Sequence, residues 1–190
     1  MTNYLYSPQA GRFLRMIMPI GGNVTEDSTV DASLYGVFYF GAFEPYDPRV
    51  QGTMQAIRRG LAVQTEVGGI ARYAGDTYQK ASNDPTIPGN PWILCTLWLA
   101  QYLIAIARKT DDLREPLELF EWVATHACRS GVLAEQIHPD TGEPISVSPL
   151  SWSQATFVLA VLEYLKKLQE LNPEKTHTVS RLDHVFPTPA

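Results

Sequence analysis

Three proline-marked starts fix the layout of this chain. Asp47-Pro48, Asn90-Pro91 and Ser148-Pro149 each set a side-chain oxygen before a proline, and an apolar run follows each pair. A capping oxygen followed by proline at the first helical position is the chemistry of a helix N-terminus. The first run carries Val50, Met54, Ile57 and Leu61 at helical spacing. The second, from Ile93 to Ala107, is apolar on most faces, which predicts burial on more than one side. The third passes through Trp152, Ala155, Val158, Leu162 and Leu165 to about Glu170.

Two further helices complete the pattern. Asp112 and Glu115 have capping-box spacing ahead of Leu113, Leu117, Phe120, Val123 and Ala127. Asp31 to Phe43 reads as an aromatic-rich helix broken by Gly36 and Gly41. Five helices after residue 30 are joined in part by long connections at 62–91 and 129–148. Ordinary helix–helix links run about 2–8 residues, so loops of this length are functional or disordered. These contain aromatics and paired glycines, not a disorder-type composition. The organisation expected is an irregular segment at 1–30, a helical body at 31–171 and a flexible tail at 172–190. Within the first segment Phe13 to Ile17 suggests a short strand, and Gly21 to Ser28 reads as loop.

At 190 residues, 45% hydrophobic, the chain can bury one real core. Its net charge of −5 and lack of any basic block argue against binding a nucleic-acid backbone. No apolar leader or spanning run is visible, so a soluble cytoplasmic protein with no membrane partner is expected. Cys95 and Cys128 form no framework, and His126 and His138, twelve apart, offer no metal spacing. No cofactor is called for.

The chemistry lies in the two loops. In the first, Arg72, Asp76 and Trp92 are the residue types that hold a neutral polyol, supplying donors, acceptors and a flat apolar surface. An Arg72–Asp76 ion pair that pins the loop explains the same residues. Gly68-Gly69 lacks the lysine and hydroxyl of a phosphate loop. In the second loop Glu135, Asp140 and Glu143 are candidate carboxylates. Leu133 and Ala134 draw Glu135 toward the interior, beside Gln136 and upstream of Trp152.

At these loops the sequence resembles glycoside hydrolase family 15, the glucoamylase-like enzymes that include glucodextranases and some trehalases. The matching stretches include Asp31-Ala-Ser-Leu34, Tyr46-Asp-Pro-Arg49, Gly69-Ile-Ala-Arg-Tyr73, Gly75-Asp-Thr-Tyr78, Gly89-Asn-Pro-Trp92 and Ser130-Gly-Val-Leu-Ala-Glu-Gln136. Thr96 to Gln101, and Thr141-Gly-Glu-Pro through Ser153, extend the match over roughly 28–168. The resemblance implies an all-α fold, part of an (α/α)6 toroid, with about five of its twelve helices in antiparallel hairpins. It implies Glu135 as the general base of an inverting α-glucosidase that releases terminal glucose. It places Arg72 and Asp76 on the non-reducing-end sugar, and Trp92, Trp152, Tyr73 and Gln136 around the pocket. An α-glucan or a small glucoside is the implied substrate.

An inverting glycosidase also needs an acid, and in the family it lies upstream of everything matched here. Glu26, Glu44, Glu66 and Glu143 are candidates by residue type only. Three arrangements follow: a catalytically incomplete C-terminal part, a partner chain carrying the other half, or a non-catalytic helical module binding a glucan or a protein. Part of a toroid leaves helix sides uncovered, with Trp92 to Ala107 the candidate face, so self-association of the isolated chain is expected.

Overall fold

Of the three proline-marked starts, one caps its helix as expected. The Asp47 carboxylate accepts the Arg49 N–H, Pro48 occupies the first turn, and α2 runs from Pro48 to Leu61 with Val50, Met54, Ile57 and Leu61 all buried. The computed structural model describes residues 4–21 and 23–173, so the expected tail lies, from residue 174 on, outside the described residues. Upstream of α2, Ala32–Tyr35 forms a 3-10 turn capped by Asp31 and continues into a short α1, Gly36–Tyr39. The aromatic-rich helix expected to reach Phe43 therefore stops early, and Gly41 takes a left-handed φ of 74°.

The second start differs. α3 spans Ile93–Ile106 with Trp92, not Asn90, at its N-cap. The Asn90 amide is engaged elsewhere, and Pro91 and Trp92 lie extended in backbone bridges to Ala71 and Gln136. The third start also shifts: Ser148-Pro149 is a cis peptide, and α5 begins at Ser151 and runs to Leu171. Asp112 does not cap α4 (Arg114–Thr125). It sits in the preceding 3-10 turn, where its carboxylate accepts the Arg108 and Lys109 N–H groups. Glu115 meanwhile pairs with Arg58 of α2 at 2.6 Å.

Residues 6–27 hold two small antiparallel hairpins. β1 (Tyr6–Ser7) pairs with β2 (Arg12–Phe13), and β3 (Met16–Ile20) pairs with β4 (Asn23–Asp27). β4 occupies a stretch whose polar composition reads as loop. Neither strand shows the alternation of a half-buried sheet, because most of both is exposed and no buried face shapes the pattern.

Helix α3 is the centre of the body. Leu94, Cys95, Trp98, Leu99 and Tyr102 face a cluster with α1 and α2. Ile93, Leu97, Ala100 and Ile104 face a second cluster with α4 and α5. A helix packed between two layers needs apolar residues all round, and most of α3 is buried there, with Leu103, Ala105 and Ile106 partly exposed, so it is not the open face expected above. Exposed apolar surface lies instead on α5, where Val158, Leu159 and Leu165 reach solvent, and on β3 and β4 at Met16, Ile20 and Val24. Among the described residues no helix is long and apolar enough to cross a membrane.

One polar cluster sits among these helices. The Glu163 carboxylate of α5 accepts the Tyr39 hydroxyl at 3.1 Å and the Gln101 amide at 3.0 Å. Burial pushes its pKa up, against the lowering effect of those two donors. A carboxyl raised on folding holds its proton more tightly folded than unfolded, so stability falls as pH rises from the ordinary value through the raised one. Glu163→Gln is expected to raise the thermal midpoint at about pH 7 and leave it nearly unchanged at about pH 4. Equal midpoint changes at the two values would show that burial of the charge is not the cause.

Candidate active site

The loops before α1, α3 and α5 meet at one end of the helices, where their backbones pair. Ala32 N–H donates to Arg72 C=O at 2.8 Å, Trp92 N–H to Ile70 C=O at 2.9 Å, and Ile137 N–H to Pro91 C=O at 2.9 Å. β5 (Gln136–Ile137) then pairs with β6 (Pro144–Ile145). The result is a narrow layer of short extended segments spread across the helix ends. It requires close approach at Gly69, whose φ is 86°; a Cβ there would stand 2.6 Å from the Trp122 ring. The glycine pair thus serves packing.

A cavity of about 440 Å³ opens on this layer. Arg72, Tyr73, Trp92, Glu135 and Trp152 line it. Asp76 and Gln136 are not among the lining residues; both are buried behind it. A larger groove of about 960 Å³ lies between α2 and α3, but no carboxylate lines it.

Glu135 is held from both ends. Its backbone N–H donates to Val147 C=O at 2.9 Å, and its carbonyl accepts the Ile93 N–H that opens α3. Its carboxylate oxygen Oε2 accepts from the Ser146 hydroxyl and from the Gln136 amide, the latter at 3.2 Å. Both donors fall on Oε2, and among the described residues no hydrogen bond occupies Oε1. Ser153 of α5 donates to Ala134 C=O at 2.9 Å and is fully buried, which ties the Glu135 segment to the next helix.

Arg72 presents a fixed fork. Its Nε and Nη2 each reach an oxygen of Asp76 at 2.8 Å, and these hydrogen bonds raise the guanidinium pKa. The Asp76 side chain is 1% exposed and also accepts the Tyr78 N–H at 3.0 Å. The guanidinium lies 4.6 Å from the centroid of Trp92 and 5.1 Å from that of Tyr78. Asp76 therefore acts on Arg72 from behind the cavity, while the guanidinium itself borders it. Trp152 is 57% exposed and meets Trp98 edge-on at 5.7 Å.

Sequence reasoning missed several lining residues: Asp31, Ser33, Leu94, Cys95, Trp98 and Leu150. Trp98 lies in a helix apolar all round, where nothing marks one aromatic as a wall. Asp31 is the second carboxylate of the cavity. Its Oδ1 accepts the Ser33 N–H at 2.9 Å and the Ser33 hydroxyl at 2.7 Å, while Arg15 stands 3.7 Å from Oδ2. Both of its oxygens are thus engaged, as the cap of the turn that leads into α1. Glu26, Glu44, Glu66 and Glu143 are all exposed and line none of this cavity.

Comparisons with known proteins identify the family. The family described as "Glycosyl hydrolases family 15" matches residues 6–162. An uncharacterized glycosyl hydrolase of Methanocaldococcus jannaschii is 36% identical over 168 residues, covering 83% of this chain and 25% of its own length. A trehalase of Mycobacterium tuberculosis is 27% identical over 146 residues, covering 76% of this chain and 20% of its own length. A bacterial glucoamylase solved with acarbose superposes with a TM-score of 0.62 at 25% identity, over 82% of this chain and 25% of that one. The chain thus spans about a quarter of the length of such relatives. Its helices are those of a partial six-hairpin α/α toroid. With the match running from the first hairpin into α5 and taking in the cavity walls, this chain belongs to glycosyl hydrolase family 15.

Proposed function

We propose that this chain is the C-terminal part of the catalytic toroid of an inverting, exo-acting α-glucosidase, with Glu135 as its general base. The observation that carries this reading is the Glu135 carboxylate at the cavity wall, with Oε2 fixed by Ser146 and Gln136 and Oε1 without a hydrogen bond among the described residues. In the reaction a water attacks the anomeric carbon while Glu135 removes its proton, and an acid on the opposite side protonates the departing glycosidic oxygen. The two carboxyls of such a pair stand about 6.5–9.5 Å apart to admit the water. Arg72 donates to hydroxyls of the terminal sugar, Tyr73, Trp92 and Trp152 bound the ring, and Asp76 and Gln136 hold Arg72 and Glu135 in place. Substrates are α-glucans or small glucosides such as trehalose. The acid is supplied by the rest of the toroid, because the carboxylate that shares the cavity with Glu135 is a hydrogen-bonded cap.

The test is glucose release from maltooligosaccharides and from trehalose, by this chain alone and by the chain combined with the preceding part of a family toroid. No release alone, and release of the inverted β-anomer in combination, is the expected result. Release by the chain alone would overturn the assignment of the acid elsewhere. Sugar binding without turnover in either arm would favour a non-catalytic module.

A further inference from the structure

The direction of the amide hydrogen bond that reaches Glu135 is set outside the cavity. Asn90 is 2% exposed, and its amide meets three partners. Its Oδ1 accepts the Ala81 N–H at 3.0 Å, and its Nδ2 donates to Gln79 C=O at 2.8 Å and to Gln136 Oε1 at 2.6 Å. A side-chain amide can usually be turned over without visible cost. Here it cannot, because turning it would set the NH2 against a backbone N–H and the oxygen against a backbone carbonyl. The 79–81 backbone is itself held in an unusual form, with Gln79 at a φ of 52° in the left-handed region.

The consequence passes to the next amide. Gln136 is fully buried, and its Oε1 is occupied by Asn90, so its Nε2 must point the other way. That places an N–H donor on Glu135 Oε2 at 3.2 Å. Without Asn90, Gln136 could present its oxygen to the carboxylate instead.

We propose that Asn90 is a positioning residue for Glu135, relaying the fixed polarity of the Gln79 and Ala81 peptide groups through Gln136 to the base. The proposal rests on the reading of Glu135 as the base for its catalytic meaning. Its geometry stands apart from that reading. The buried bond between Asn90 and Gln136 is a link between the two long loops, so the first loop controls the orientation of the second loop's carboxylate.

The experiment uses the isotope-labelled chain and reads side-chain resonances. In the native sequence the Asn90 and Gln136 side-chain amide hydrogens are expected to exchange slowly with heavy water. Exchange at the rate of free amides would overturn the proposal without any variant. Asn90→Asp keeps the acceptor for Ala81 N–H and removes both donors; Asn90→Ala removes all three contacts. Both are expected to deprotect the Gln136 amide and to move the Glu135 carboxylate carbon by several line widths, leaving that of Glu163 in place. Signals that move only in the 77–81 loop would show a structural role alone and overturn the proposal. In a glucose-releasing assembly both variants are expected to lower kcat about tenfold with KM unchanged, the mark of an interaction used in the transition state. An unchanged kcat where Glu135→Gln abolishes turnover would overturn the Asn90 proposal and spare the base. Turnover that survives Glu135→Gln would remove the base reading, with the resonance data still judging the relay.

Discussion

Glu135→Gln is expected to cut glucose release in the assembled toroid by about 10²–10⁴-fold, the range that a positioned general base supplies. Glutamine has nearly the same shape, and its carbonyl oxygen can still accept from Ser146 and Gln136, the two donors that fix Oε2. Substrate binding and stability should therefore hold, with KM unchanged and unfolding free energy altered by less than about 0.5 kcal/mol. What glutamine cannot do is take a proton from water through the second oxygen. Loss confined to kcat is thus the signature of the base. Glu143→Gln is the control, since Glu143 is exposed and outside the cavity. A comparable loss there, or a Glu135→Gln enzyme that keeps most of its turnover, would contradict the assignment.

The parts of this fold that the sequence announces are those settled by local chemistry and period. Asp47-Pro48 caps α2 because the Asp47 carboxylate finds its donors locally, in the backbone N–H and the guanidinium of Arg49, two residues on. The double-sided burial of α3 follows from its lack of any polar face. Asn90 breaks the same capping rule because distant partners claim its amide, Gln79 and Ala81 in its own loop and Gln136 in the other. Sequence position cannot reveal that competition. The site divides in the same way. Arg72, Trp92, Glu135 and Trp152 stand out by residue type in the loops and line the cavity, whereas Asp31 and Trp98, though inside matching stretches, and Ser146, which holds Glu135, take their places only through tertiary placement. Sequence spacing gave Arg72 and Asp76 equal standing, and burial separates them: one borders the cavity and the other supports it.

That separation makes Arg72→Ala the second large effect. The substitution leaves the Asp76 carboxylate, 1% exposed, with the Tyr78 N–H as its remaining side-chain hydrogen bond. Breaking a buried pair by removing one partner costs about 3–5 kcal/mol, because the other charge stays desolvated. Arg72 keeps 32% of its side-chain surface in water, so the lower part of that range is expected in urea unfolding of the chain. Arg72→Lys should recover only part of the loss, since an ammonium cannot offer the parallel fork that meets both Asp76 oxygens. The double variant Arg72→Met with Asp76→Leu removes both charges and should unfold at nearly the native urea concentration. It should nonetheless bind no sugar, having lost the guanidinium held over the Trp92 ring. Restored stability without restored binding would show that the pair is kept for the position it imposes on Arg72. If Arg72→Ala costs less than about 1 kcal/mol, the range of an exposed pair, Asp76 must reach water once the arginine is gone, and its burial cannot be what fixes the arginine.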